Sequence, residues 1–263
     1  MLLTHTSVVH SDSLPNTTLQ TADNLYFDIK TDFCFYLQKD NLLVLSGILL
    51  GAGIMANTAI DKSLKHMWQH NLRTRRSERS FKHPCAIGIF NYKCCYLGST
   101  LLGGLLLDES RACNPFNFLY HWGYRSMRTL FLAGIQKELF SLMIGNGRPI
   151  QNVSSRWHPF KKGTHYDSGV SGHAFNGAIP FISAAMLVEQ PILKYSLYAC
   201  SILPGFSRIN DNHHYTSQIL LGWALSFLSA HAIDKTECCS QYLLEAYVAP
   251  TPEGAKLGFQ FRL

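Results

Sequence analysis

The chain is predicted to fold as an all-α protein with a six-helix core bundle, and three observations carry that expectation. Six apolar segments of helical length recur along it, at 42–60, 94–107, 116–144, 174–188, 192–206 and 215–233. Charged residues are only 15% of the chain while apolar residues are 47%. A length of 263 residues suffices for one large helical core with a short tail.

Taken in order, residues 1–40 are polar and rich in Thr, Ser and Asn, and lack the charged start, apolar run and cleavage site of a secretory signal. The stretch 42–60 holds 19 residues without a charge, long enough to cross a bilayer, and is the best transmembrane candidate. Its small residues, such as Gly47, Gly51 and Gly53, let another helix approach closely in lipid or in a soluble core. The segment 94–107 is clean for 14 residues unless Lys93 snorkels. The segment 116–144 carries Arg125, Arg128, Lys137 and Glu138, which suit a helix lining a polar site and equally an amphipathic soluble helix. A mean hydropathy of +0.02 is modest for a chain threaded many times through lipid, so a membrane-embedded bundle is expected and a soluble or peripheral one is the alternative.

Between the first two helices, residues 62–82 contain seven Lys or Arg, read first as a solvated amphipathic face and otherwise as a patch that draws anions toward a site. The last residues change character: 242–249, a Pro-Thr-Pro-Glu-Gly turn and the alternating run 256–263 predict two short strands. The domain reading is therefore a polar segment 1–40, a helical domain 41–238 and a β-like tail 239–263. Eight cysteines show no zinc-ligand spacing, so no metal site is expected. A net charge of +6 without a stripe of basic and aromatic residues gives no case for nucleic acid, and no glycine-rich loop marks a nucleotide.

Three short blocks carry the chemistry: Gly147-Arg148-Pro149, Ser171-Gly172-His173, and Ser207-Arg208 followed by His214. Arginine suits a phosphate because its planar fork donates parallel hydrogen bonds and keeps its charge, so Arg148 and Arg208 can clamp one. Ser171 and Gly172 precede an apolar segment, which puts their amides at a helix start, where free N–H groups and the dipole favour an anion. Two histidines remain for the nucleophile and proton donor of a phosphoryl transfer.

This arrangement resembles the type 2 phosphatidic acid phosphatase superfamily, which includes bacterial acid phosphatases, lipid phosphate phosphatases and vanadium haloperoxidases. Its pattern is Lys-x6-Arg-Pro, Pro-Ser-Gly-His and Ser-Arg-x5-His-x3-Asp, and the resemblance spans 141–218. It implies a helical fold, His214 as nucleophile, His173 as general acid, and Arg148, Ser171, Gly172, Ser207 and Arg208 as the phosphate shell, with no metal or other cofactor. The implied activity is hydrolysis of a phosphorylated lipid or other amphiphilic phosphate, monoester or pyrophosphate, through a phosphohistidine. The implied place is a membrane, with the active site of a bacterial inner-membrane protein facing the periplasm.

Three positions depart from the pattern. Ser141 stands where the family lysine falls, Val170 replaces the proline, and Gln218 replaces the aspartate that orients the nucleophile. Lys137, one turn before Ser141, is the expected substitute for the lysine. At i and i+4 on a helix, Gln218 can still accept from His214, without a charge. A phosphate-binding pseudoenzyme is therefore the alternative, and a vanadate-dependent haloperoxidase a more distant one.

Overall fold

The computed structural model describes residues 17–89, 91–106, 115–161, 163, 165–240, 244–251 and 254–261. The expected helices are all present: α2 (Lys39–Asn57), α5 (Lys93–Leu105), α6 (Pro115–Ile144), α7 (Gly172–Leu187), α8 (Pro191–Asn210) and α9 (Thr216–Ser240). Three further helices join them, namely α1 (Thr17–Tyr36), α3 (Ile60–Met67) and α4 (Arg75–Ile89), with a π-helical turn over Trp68–Leu72 between the last two. The expected tail is an antiparallel hairpin of β1 (Leu244–Thr251) and β2 (Gly254–Phe261), closing on the pair Thr251 and Gly254.

Helix α9 is the axis of the bundle. Its Leu221, Leu225, Leu228 and Ala232 join Tyr36, Leu45, Ala52, Leu132, Ile144 and Val170 in the largest core cluster. Ile219 packs with Ala174 and Ile209, and Ala230 with Ala178 and Ile182, so α9 presents apolar residues to several neighbouring helices at once. Local signals set the ends that matter for function. Ser171 caps α7, its Oγ accepting from the Ala174 amide at 3.4 Å. Pro191 opens α8 at the position where its missing N–H costs nothing. Helix α6 stops at Gly145, whose φ of +56° favours glycine and whose added Cβ would lie 2.0 Å from the His158 carbonyl.

The N-terminal part of the chain carries a helix tied to α6. Residues 17–36 form α1, and Arg128 of α6 binds Asp32 of α1 with Nε and Nη2 at 2.8 and 2.6 Å, while its Nη1 pairs with Glu237 of α9. Arg125 pairs with Asp234 at 2.7 Å. The charges of α6 therefore tie three helices together and do not line the candidate site. Residues 1–16 lie outside the described residues.

The basic segment also departs from a simply solvated face. Gln69 Nε2 donates to the Ile209 carbonyl at 2.6 Å, Trp68 Nε1 to Asn210 Oδ1 at 3.4 Å and Ser77 Oγ to Asn210 Oδ1 at 3.0 Å, which docks the π turn and α4 on the C-terminus of α8. Helix α4 then lies against α7 through glycines: a Cβ on Gly88 would meet His173 Cβ at 2.9 Å, and one on Gly177 of α7 would meet Gly88 Cα at 3.2 Å.

Many large apolar side chains face outward. On α2, Leu50 is 67% exposed; on α5, Leu105 is 82% exposed; on α8, Ile192 is 77% exposed. Phe131, Ile135, Leu139 and Leu142 do the same on α6. Among the described residues one helix, Lys39–Asn57, is long and apolar enough to cross a membrane.

Candidate functional site

The three sequence blocks meet at one end of the bundle, where α6 and α8 finish and α7 and α9 begin. Arg148 follows α6, and its Nε donates to Ser168 Oγ at 2.7 Å, which in turn donates to Asp167 Oδ1 at 3.0 Å. That bond fixes the stem of the guanidinium and leaves its two terminal nitrogens for a ligand. Ser207 and Arg208 sit in the last turn of α8, just past the apolar segment 192–206; a basic side chain there meets the negative end of the helix dipole. Arg208 Nη1 donates to Cys85 Sγ of α4 at 3.3 Å and to Asp211 Oδ2 at 3.4 Å, and its buried Nε has no protein partner.

The loop to α9 winds back on α8. The amides of His213 and His214 both donate to the Arg208 carbonyl, at 2.9 and 3.3 Å, and Asn212 takes a left-handed φ of 59° to allow it. Arg208 and His214 are thereby fixed by one short segment. From the other side, Asp61 of α3 accepts from the Ser217 amide at 3.1 Å and from Ser217 Oγ at 2.5 Å, so a remote carboxylate caps the start of α9. Burial pushes the Asp61 carboxyl up, and the bonds from Ser217 and Thr216 oppose that rise.

Gln218 occupies the place of the expected aspartate with every polar atom used. Its Nε2 donates to Asn146 Oδ1 at 2.9 Å and to the Gly147 carbonyl at 2.7 Å. Its Oε1 accepts from the Tyr215 amide at 3.0 Å and lies 2.8 Å from His214 Nδ1. The carbonyl and amide partners leave one orientation for the side chain, so Oε1 faces the imidazole. An amide oxygen can only accept; Nδ1 of His214 therefore carries the proton and Nε2 keeps its lone pair. His214 is buried, and its imidazole is pushed down to about 3 by burial above all, with Arg148, Arg208 and His173 acting in the same direction and the Gln218 bond against them. It stays neutral at any ordinary pH.

His173 lies in the first turn of α7, at the mouth of the pocket. Its Nε2 is buried without a protein partner. Burial, then Arg208, His213 and Arg148, lower it to about 4, with Asp211 opposing. Arg148 and Arg208 each depress both imidazoles, which places the four groups near one another at this end of the bundle. His213, also lowered by burial and Arg208, adds a buried Nδ1 with no partner.

Two expected contributors are placed differently. Ser207 Oγ donates to the Pro204 carbonyl at 2.7 Å, so its proton is committed to the helix and only its lone pairs remain. Lys137 Nζ is held by Glu138 Oε1 at 2.6 Å and bonds to none of the phosphate-shell residues. Ser141, in the family lysine's place, is buried with an unpartnered hydroxyl. No signal in the sequence marked Cys85, Asp61 or Ser168, since each acts through one or two isolated polar contacts that leave no periodic trace.

Residues 126–236 match the PAP2 superfamily. That segment belongs to the PAP2 superfamily. It contains every residue of the pocket supplied by α6 to α9, and a phosphatase-like function goes with it. No curated protein matches the chain. Among solved structures, the crystal structure of the first transmembrane PAP2 type phosphatidylglycerolphosphate phosphatase from Bacillus subtilis aligns at 14% identity with a TM-score of 0.44, covering 82% of this chain and 96% of that one. The PAP2 segment leaves out α1 to α5, so the wall that α4 adds to the pocket lies beyond the family match.

Proposed function

We propose that the protein is a membrane-embedded phosphatase that hydrolyses a phosphorylated lipid or similar amphiphile through a phosphohistidine. The observation that carries this reading is the pair of buried atoms without a protein partner, Nε of Arg208 and Nε2 of His173, beside a helix start capped by Ser171 and an Arg148 bonded through its Nε alone. Buried donors are normally satisfied, and a tetrahedral dianion would satisfy these at once.

His214 Nε2 attacks phosphorus while the bond to the leaving oxygen breaks in line, and His173 gives its proton to that oxygen. Water then attacks the phosphohistidine, returns a proton to His173 and releases His214 with its Nδ1 still bonded to Gln218. Arg148 and Arg208 neutralise the equatorial oxygens in the transition state, where fixed charges act most strongly. Substrate phosphate between the two arginines offsets the positive field on His173 and lets it hold a proton.

The outward apolar faces of α2, α5, α6 and α8 support burial in lipid, with the pocket at the bundle end beyond them. A bacterial inner membrane with a periplasm-facing pocket follows from the resemblance. The basic segment 62–82 bears on this placement, because it is docked on the C-terminal end of α8 and is not a free loop of the kind the positive-inside rule counts.

The test is phosphate release by protein in neutral detergent from phosphatidic acid, an isoprenyl diphosphate and an aryl phosphate. Release is expected, absent in His214→Ala, with kcat/KM falling as pH rises because free His173 loses its proton above about 4. The alkaline limb of kcat lies at higher pH than that of kcat/KM, since bound phosphate raises His173. Release that survives in His214→Ala overturns the reading; phosphate or vanadate binding without release identifies a pseudoenzyme.

A further inference from the structure

Beside the phosphate pocket, α4 bounds a cavity of about 730 Å³ that reaches Asp211 of the catalytic loop. Arg75, Arg79 and Lys82 line it at i, i+4 and i+7, the spacing that puts three side chains on one helix face. Glu78 also lines the groove, but its carboxylate is engaged by Arg73 at 3.0 Å. Arg75, Arg79 and Lys82 themselves make no ion pair among the described residues. Phe81 and Ile89 add an apolar wall. Two residues join this groove to the phosphate clamp: Cys85 and Asp211 both line it, and both contact Arg208, at 3.3 and 3.4 Å.

We infer that this groove is a second anion subsite, which holds a phosphate on the leaving group, so that the preferred substrate is a diphosphate ester. The inference rests on the phosphatase reading above and narrows its substrate class. In the step it implies, His214 Nε2 bonds to the terminal phosphorus and the bond from that phosphorus to the bridging oxygen breaks. The electron pair stays on the inner phosphate, which remains in the α4 groove as a monophosphate ester, and water then hydrolyses the phosphohistidine to free phosphate. Phe81 and Ile89 meet the first carbons of the organic chain. A leaving phosphate, with a second pKa of about 6, needs far less protonation than an alkoxide. A weakly basic His173 suits that leaving group.

Charge complementarity favours the substrate's own phosphate over the headgroups of a surrounding bilayer, because the three cations line a groove contiguous with Arg208. The test is calorimetric binding of methylphosphonate and methylenediphosphonate to the full chain in neutral detergent. Wild-type protein is expected to bind the diphosphonate at least about tenfold more tightly, as two or three charge-assisted contacts allow. In Arg75→Gln/Arg79→Gln/Lys82→Gln the preference falls below about threefold, while turnover of an aryl monophosphate persists and reports an intact fold. Arg79→Gln alone, on the exposed side of α4, carries the same test should the triple variant fail to fold. Equal affinities in wild type, or a preference that survives these substitutions, overturns the subsite. A variant that keeps the preference but loses binding to anionic vesicles assigns the cations to the bilayer and also overturns it. Phosphate release that persists in His214→Ala instead refutes the underlying phosphatase reading, whatever the phosphonates do.

Discussion

Gln218 shows how a single side chain can keep a geometry after losing a charge. Its Oε1 holds His214 Nδ1 and its Nε2 is anchored by Asn146 and Gly147, so the imidazole is fixed in one tautomer although no carboxylate stabilises it. Gln218→Ala removes that anchor, and turnover is expected to fall by about a hundredfold, the scale of a 1 Å misplacement, with KM little changed. A split in which KM rises and kcat holds would contradict an orienting role. Gln218→Glu sets a carboxylate oxygen against the acceptors of Asn146 and Gly147, and costs about 1–3 kcal/mol of stability by denaturant unfolding. That the arginines, both histidines and the Ser-Gly cap belong together was legible in the order and spacing of the three blocks, which the fold brings to one end of the bundle. The direction of a side chain is not written in spacing: Lys137 turns to Glu138 and Ser207 to Pro204, each choosing a local partner that the sequence offered equally.

At the scale of elements, the six apolar helices were readable because apolar runs of this length bury themselves, and α6, α7 and α9 fall within a few residues of their expected starts. The docking of α3 and α4 was not, since a segment read as a solvated amphipathic helix is held by isolated bonds such as Gln69 to Ile209 and by glycine contacts such as Gly88 on His173. The cap that Asp61 places on α9 belongs to the same class. Asp61→Ala frees the first amides of α9 and is expected to cost about 1–2 kcal/mol, seen as a lower denaturation midpoint, together with reduced turnover because His214 and Gln218 hang from that end. Asp61→Asn retains acceptor capacity and is expected to fall between the two.

Across the whole molecule, charge and apolar surface are separated. The pocket end gathers Arg148, Arg208 and the α4 cations; about 24 Å away along α6, given 1.5 Å per residue, Arg128 ties α1, α6 and α9 through Asp32 and Glu237. Arg128 and Asp32 are 3% and 2% exposed, so removing Arg128 leaves Asp32 buried without its counter-charge. Arg128→Leu is expected to cost about 3–5 kcal/mol in thermal or denaturant unfolding, and Arg128→Leu/Asp32→Leu considerably less. Equal losses would mean that the pair is not a closed unit. The sequence placed these arginines on a polar face without revealing their partners, because the partners lie in α1 and α9, about a hundred residues away on either side.

The central claim is that His214 becomes phosphorylated. Brief reaction with an isoprenyl diphosphate labelled on its terminal phosphate, quenched in alkali and followed by mass mapping, is expected to find an acid-labile, alkali-stable phosphoryl group on His214 of wild-type protein and none in His214→Ala. Phosphate release without that label, or with the label on another residue, would contradict the account.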